Sequence, residues 1–116
     1  MLNITERQSA DVTILDLEGN IIMGGGSAQL RDAMRRLIKE GKKNVLLNFA
    51  RVKYVDSSGV GELVTSFVTL NRAGGILKLA NLPERVEQVM TLSSVKSIFD
   101  IYDNESEALA GHSPES

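Results

Sequence analysis

The sequence predicts an α/β domain built on a mixed, mostly parallel sheet. Short segments rich in apolar and β-branched residues alternate with longer segments whose apolar residues recur every three or four positions. One amphipathic segment separates most neighbouring strands, which is the spacing of parallel strands joined by right-handed crossovers. Only the first two strands are joined by a short turn. We therefore expect an N-terminal antiparallel edge strand, a parallel remainder and about four helices.

The chain opens with a predicted hairpin. Residues 2–7 alternate apolar and polar side chains, as an edge strand does, and residues 12–17 are the second strand. Residues 8–11 are predicted to form the turn between them. Glu18-Gly19-Asn20 has the composition of a turn and is predicted to end the second strand.

A glycine triplet, Gly24 to Gly26, separates the second strand from the first helix. It weakly resembles a phosphate cradle, although it lacks the lysine and threonine of a Walker motif, and a tight connection needing positive φ is the alternative. Ser27 is the predicted N-cap, and Gly41 is placed to end the helix. The apolar stripe of this helix is formed by Leu30, Ala33, Met34, Leu37 and Ile38. Its charged face, with Arg31, Arg35 and Arg36, is expected to be solvated, and a patch that faces a partner is the alternative.

The second half of the chain repeats the strand and helix alternation. Residues 44–49 read as a buried strand, and a helix follows whose apolar positions are Val60, Leu63, Val64, Phe67 and Leu70. Residues 76–80 are the next strand, and Pro83 is predicted in the first turn of a third helix. A final strand at residues 98–102 and a short helix at residues 105–110 complete the pattern.

The most informative segment is the Asp56 turn, defined as residues 56–61, which lies between a buried strand and a helix. Asp56, Ser57 and Ser58 are all residues that cap helices, because a short side-chain oxygen accepts bonds from free N–H groups of the first turn. Gly59 and Gly61 carry no side chain, so a partner could approach the backbone closely. A plain helix cap is the alternative interpretation.

Composition excludes several classes of function. A formal net charge of -2 gives no basic field for nucleic acid, and the absence of cysteine removes thiolate catalysis and cysteine zinc sites. The single histidine, His112, lies in a polar tail, so no Ser-His-Asp arrangement is expected. No apolar run approaches the length of a membrane span, and no leader is recognised at Met1. We expect a cytoplasmic protein that needs no cofactor or metal.

The run from Asn44 to Gly61, centred on Asp-Ser-Ser-Gly, resembles the signature of STAS domains, specifically those of bacterial anti-sigma-factor antagonists. The resemblance continues through Gly74-Gly75 and the strand after it, through Val86 to Met90, and through residues 93–95 and 99–101. It covers nearly the whole chain. It implies a single STAS domain over residues 1–111, followed by a flexible tail at residues 112–116.

The resemblance implies a binding module without catalytic residues. In that family a serine kinase, which is also the anti-sigma factor, phosphorylates the serine matching Ser58. The unmodified antagonist binds this kinase and frees the sigma factor, and the phosphorylated form dissociates until a metal-dependent serine phosphatase restores it. The partner-binding residues implied here are Asp56, Ser57, Ser58, Gly59, Gly61, Ile22, Met23, Gly24 and Gly25.

One segment departs from the family pattern. Relatives commonly carry an acid after the second strand, in a Gly-x-hydrophobic-Asp pattern, whereas residues 19–27 of this chain contain none. The departure bears on which partner binds, and it leaves Ile21, Ile22 or Met23 to dock against an apolar surface. Two alternatives remain: a STAS interaction module of a lipid-transport or other signalling complex that phosphorylation does not switch, and a nucleotide-binding domain or enzyme of the same layout.

Overall fold

The computed structural model describes residues 2–110. Its elements are β1 (Leu2–Ser9), β2 (Val12–Ile21), α1 (Ser27–Lys39), β3 (Asn44–Val55), α2 (Ser57–Arg72), β4 (Ile76–Ala80), α3 (Glu84–Leu92), β5 (Asp100–Tyr102) and α4 (Glu105–Ala110). The five strands form one sheet in the order β1-β2-β3-β4-β5. β1 is antiparallel to β2, and every other pair is parallel. The predicted fold class is confirmed.

The two faces of the sheet are covered unequally. Helices α1, α2 and α3 pack on one face, where Leu47, Phe49 and Leu79 meet the buried apolar stripes of those helices. The other face carries a smaller cluster, in which Ile14 and Leu46 lie beneath Ala108 of α4. Successive side chains of a strand point to opposite faces, so central strands with two buried faces read as nearly continuous apolar runs.

A row of polar side chains crosses the α4 face of the sheet; we call it the polar ladder. Arg7 on β1 holds Asp16 on β2 through two hydrogen bonds of 2.6 and 2.9 Å. Asn48 on β3 donates to Asp16 at 2.8 Å and accepts from Asn81, beyond β4, at 2.9 Å. Arg7 also holds Glu105 of α4 through two hydrogen bonds of 2.6 and 3.3 Å. The ladder therefore fastens α4 to the sheet.

The second strand is longer than predicted. Glu18, Gly19 and Asn20 were expected to form a turn, but they continue β2, which pairs with β3 as far as Ile21 opposite Val55. The register shifts between Asp16 and Glu18 and again between Gly19 and Asn20. These irregularities accommodate residues with weak strand preference, because pairing with a long neighbouring strand outweighs local propensity.

Several other boundaries also differ from prediction. Ser27 is the first residue of α1 rather than its cap, since Gly26 occupies the N-cap position without a side-chain hydrogen bond. Pro83 precedes α3 as its N-cap instead of lying in the first turn. A 3₁₀ turn at Lys96–Ile98 replaces the beginning of the predicted last strand. Strand β1 runs to Ser9, so the hairpin turn narrows to Ala10 and Asp11.

The predicted flexible tail at residues 112–116 lies outside the described residues. Within residues 2–110, no helix combines the length and the apolar character needed to cross a lipid bilayer.

Candidate functional site

Two connections lie side by side at the carboxyl edge of the sheet. Strands β2 and β3 are parallel neighbours and end in register at Ile21 and Val55. The chain leaves β2 through the glycine loop, defined as residues 22–26, and leaves β3 through the Asp56 turn. Binding sites of parallel sheets form where such connections leave the carboxyl ends of adjacent strands. The residues predicted to meet a partner are therefore brought together on one edge.

Asp56 fastens these two connections to each other. Its Oδ1 accepts a hydrogen bond from the Gly59 N–H at 2.8 Å, which caps α2. Its Oδ2 accepts a hydrogen bond from the Met23 N–H at 3.1 Å. The Asp56 N–H donates to the Ile21 carbonyl at 3.3 Å. Of the three residues that could have capped the helix, Asp56 is the one that does, and its carboxylate also binds the glycine loop.

The electrostatics of this turn follow from those hydrogen bonds. The N–H groups of Gly59 and, next, Met23 favour the charged carboxylate and hold the pKa of Asp56 below its usual range. Asp56 is thus anionic at neutral pH and lies two residues before Ser58. Any further negative charge added at Ser58 is placed close to an existing one.

The two serines of the turn have different surroundings. Ser57 is exposed, whereas Ser58 is half-buried. The Ser58 hydroxyl lies 3.2 Å from the hydroxyl of Ser27, the first residue of α1, and Ser27 itself is only 8% exposed. Of the two hydroxyls in the turn, that of Ser58 is thus oriented by a neighbouring element.

The glycine loop is a closed turn with one side chain projecting from it. Ile22 and Gly25 exchange backbone hydrogen bonds of 2.9 and 3.0 Å. Gly24 and Gly26 have φ values of 81° and 104°, as a tight connection needing positive φ requires. Met23 is 77% exposed at the tip. Ile21 is buried, so among the three residues proposed to dock an apolar surface Met23 is the exposed one.

Gly59 and Gly61 lack side chains for different reasons. A Cβ on Gly59 would overlap the Ile21 carbonyl oxygen and would lie 2.8 Å from a methyl group of Val55. Gly59 is buried, so close packing of α2 on the end of β2, rather than access for a partner, accounts for this glycine. A Cβ on Gly61 would meet nothing within 4 Å, and this residue is exposed.

Reasoning from the sequence missed the contact between Ser27 and Ser58 and the pairing of Arg31 with Glu62 one helical turn away. The sequence predicts Ser27 only as a helix cap, and Arg31 in a face that is solvated or, alternatively, meets a partner. Helices α1 and α2 both follow parallel strands, so both begin at the same edge of the sheet. That topology was the available signal, because it brings position 27 next to position 58 although 31 residues separate them.

Residues 3–108 match the model of the STAS domain family, and the chain belongs to that family. The anti-sigma-B factor antagonist of Bacillus subtilis (strain 168) is 29% identical over 100 residues, covering 86% of this chain and 90% of that protein.

Solved structures show the same fold. The crystal structure of an anti-sigma factor antagonist from Mycobacterium paratuberculosis superposes with a TM-score of 0.84 at 16% identity, covering 96% of this chain and 93% of that one. The Bacillus cell fate determinant SpoIIAA, solved in its phosphorylated form, superposes with a TM-score of 0.70 at 22% identity, covering 93% and 97%.

Proposed function

We propose that this protein is an anti-sigma-factor antagonist that binds a serine-kinase anti-sigma factor, and that phosphorylation of Ser58 ends this binding. The observation that carries the proposal is the carboxyl edge of the sheet. There Asp56 holds the turn that contains Ser58 against the glycine loop that presents Met23. Family membership and the relatives named as anti-sigma-factor antagonists support the same role.

The docking surface is composed of the glycine loop and the first turn of α2. Met23 supplies exposed apolar area, while Gly24, Ser57 and Gly61 leave the backbone open around it. An exposed thioether side chain adapts readily to the shape of a partner. The kinase would bury Met23 and bring its own active site to the Ser58 hydroxyl. The protein acts as substrate and binding module, with no catalytic group of its own.

In the modification step the Ser58 Oγ attacks the γ-phosphorus of ATP bound by the kinase. A bond from Oγ to phosphorus forms, the bond from that phosphorus to the bridging oxygen of ADP breaks, and the hydroxyl proton passes to a base of the kinase. A metal-dependent serine phosphatase reverses the change by hydrolysis. Because ATP and the transcription machinery are cytoplasmic, the proposal assigns this protein to the cytoplasm.

Phosphorylation weakens binding through charge rather than through unfolding. The phosphate adds roughly -1.5 to -2 charges in the first turn of α2, where the free N–H groups of a helix N-terminus tolerate an anion. The same charge lies near the Asp56 carboxylate and must be desolvated when a partner covers the turn. A penalty of about 3 kcal/mol would weaken binding roughly a hundredfold.

The test combines phosphosite mapping with binding. The protein is incubated with the candidate kinase and ATP, the site is mapped by mass spectrometry, and Ser58→Ala, Ser58→Asp and the matched control Ser57→Ala are compared in a pull-down. We expect labelling on Ser58, retained binding for both alanine variants and weak binding for Ser58→Asp.

Two results would count against the proposal. Labelling on Ser57 alone would overturn the choice of serine. If the stoichiometrically phosphorylated protein binds the kinase as tightly as the unmodified one, phosphorylation does not control binding. An interaction module of a lipid-transport or other signalling complex would then be the favoured function.

A further inference from the structure

Helices α1 and α2 face each other along a polar seam that begins at Ser58. Ser27 and Ser58 form its first rung, with 3.2 Å between their hydroxyl oxygens. Arg31 lies four residues after Ser27, and Glu62 lies four residues after Ser58, so these two form the next rung one helical turn away. Their charged groups are separated by 3.9 Å, from Nη1 to Oε1. The seam thus places a guanidinium group one helical turn from the contact between Ser27 and Ser58.

The guanidinium of Arg31 is weakly engaged. Within residues 2–110 its only ion-pair partner is Glu62, at a distance too long for a hydrogen bond. By contrast, Arg7 makes four hydrogen bonds to two carboxylates. The Arg31 side chain is 44% exposed and its guanidinium donates no hydrogen bond to another described residue, so it can change partners without breaking one.

Glu62 is a poor competitor for Arg31. Its side chain is only 10% exposed, and burial raises its pKa although Arg31 and then Arg35 act in the opposite direction. Burial favours the neutral form of Glu62, so its carboxyl can take up a proton when Arg31 leaves, whereas a phosphate carries roughly -1.5 to -2 charges. A phosphate nearby would therefore attract the guanidinium away from Glu62.

The direction of the helical side chains favours that exchange. Side chains of an α-helix tilt toward its N-terminus, so Arg31 lies over the turn that contains Ser27. With a rise of 1.5 Å per residue, the two rungs are about 6 Å apart along the helix axis. The extended side chain of an arginine spans such a gap, and its planar fork matches two oxygens of a phosphate.

We propose that Arg31 binds the phosphate on Ser58 within the same chain, exchanging Glu62 for phosphoserine. This inference rests on the proposed function and adds its structural counterpart: the phosphorylated form is held together by its own arginine. Part of the new charge is neutralised inside the seam, and the phosphate is directed toward α1. The kinase then loses both the free hydroxyl and the arrangement of side chains beside it.

The test measures the phosphate directly. Phosphoserine is installed at position 58 of the full chain during synthesis by codon suppression, and its second ionisation is followed by ³¹P NMR at 0.15 M salt. An opposite charge held against the phosphate favours the dianion, so its pKa in the unsubstituted chain should be about half a unit below that in Arg31→Gln. Arg35→Gln is the matched control, since Arg35 lies one turn further away and is screened at this ionic strength.

An equal phosphate pKa in the unsubstituted chain and in Arg31→Gln would overturn the inference. An equal change of the phosphate pKa in Arg35→Gln would also overturn it, because it would indicate only the general basic field of α1. A second measurement needs no variant. The Arg31 Nε–H resonance should shift on phosphorylation by more than that of Arg35, and no difference between them would contradict the inference.

Neither measurement uses the kinase. A kinase that fails to label Ser58 would overturn the proposed function alone, whereas an unperturbed phosphate would overturn only the role of Arg31.

Discussion

The Asp56 turn and the polar ladder are both networks built around an aspartate, but they are satisfied in different ways. In the ladder, Asp16 is bound by the side chains of Arg7 and Asn48, and Arg7 is bound in turn by Glu105. In the turn, Asp56 is bound by the backbone N–H groups of Gly59 and Met23. In the ladder, side chains therefore bind other side chains. In the turn, one side chain binds backbone N–H groups.

This difference suits the ladder to a structural role and the turn to a role in signalling. A closed network of charged side chains rigidifies the structure but offers nothing that can be modified without breaking it. A turn held by bonds between Asp56 and backbone N–H groups keeps its shape without using Ser57, and Ser58 contributes only its contact with Ser27. In the ladder we therefore expect loss of a charged side chain to destabilise the fold, and in the turn we expect loss of close packing or of the cap to do so.

The largest effect is expected at Gly59. Gly59→Ala places a methyl group against the Ile21 carbonyl oxygen, which is backbone and cannot rotate away. We expect the free energy of unfolding in urea to fall by about 3 kcal/mol, as for an overpacked core. Gly61→Ala is the matched control. Its Cβ meets nothing, and the loss of helix-interior glycine should stabilise the protein by about 1 kcal/mol. Similar free energies of unfolding for the two variants would contradict the close packing of α2 against the Ile21 carbonyl.

The next effect is expected in the ladder. Asp16→Ala removes the shared acceptor of Arg7 and Asn48, so the free energy of unfolding at pH 7 should fall by about 2 kcal/mol. Glu18→Ala is the matched control on the same strand. Glu18 is exposed and lies 3.9 Å from Arg51, so its loss should cost about 0.5 kcal/mol or less. If Asp16→Ala lowers the free energy of unfolding no more than Glu18→Ala does, the ladder does not stabilise the fold.

A smaller effect is expected at Asp56. Asp56→Ala removes the cap of α2 and should lower the free energy of unfolding by about 1 kcal/mol, whereas Asp56→Asn retains a capping oxygen and should cost only a fraction of that. Amide hydrogen exchange tests whether this one carboxylate holds both segments. In Asp56→Ala the amides of Gly59 and Met23 should both lose protection, because one carboxylate serves both. Loss at Gly59 alone would show that the glycine loop is held independently.

The smallest effect is the dependence of stability on pH. Arg7 and then Asn48 lower the pKa of Asp16, as the Gly59 and Met23 N–H groups lower that of Asp56. A carboxyl whose pKa is lower in the folded state contributes stability above its unfolded pKa of about 3.9, and that stability is lost as the pH falls through the folded pKa. Urea midpoints should therefore drop below pH 4, and Asp56→Asn should drop less steeply than the unsubstituted chain. An identical slope would contradict the assigned role of the Asp56 carboxylate.

Much of the fold could be predicted from the sequence because it depends on local patterns. Strand and helix periodicity located the elements, and their alternation gave the parallel sheet. The continuation of β2 through Gly19 and Asn20 could not be predicted, because it depends on pairing with β3 rather than on local propensity.

The candidate site was likewise predictable where it depends on local sequence and not where it depends on long-range contacts. The Asp56 turn was recognisable from its capping residues, yet the reason for Gly59 lies in its packing against Ile21, and the rung between Ser27 and Ser58 depends on the crossover topology. Contacts between residues distant in sequence carried the information that was missing.

The contact between Arg7 and Glu105 also bears on how the chain folds during synthesis, since 98 residues separate its partners. The hairpin of β1 and β2 is local and can pair as soon as it leaves the ribosome. Its apolar residues Val12 and Ile14 then remain uncovered until α4 has been synthesised, because that helix supplies Ala108 above them and the carboxylate that holds it in place. A nascent chain halted before Glu105 would expose this strip of sheet, and the last helix would act as the step that ends its exposure to aggregation.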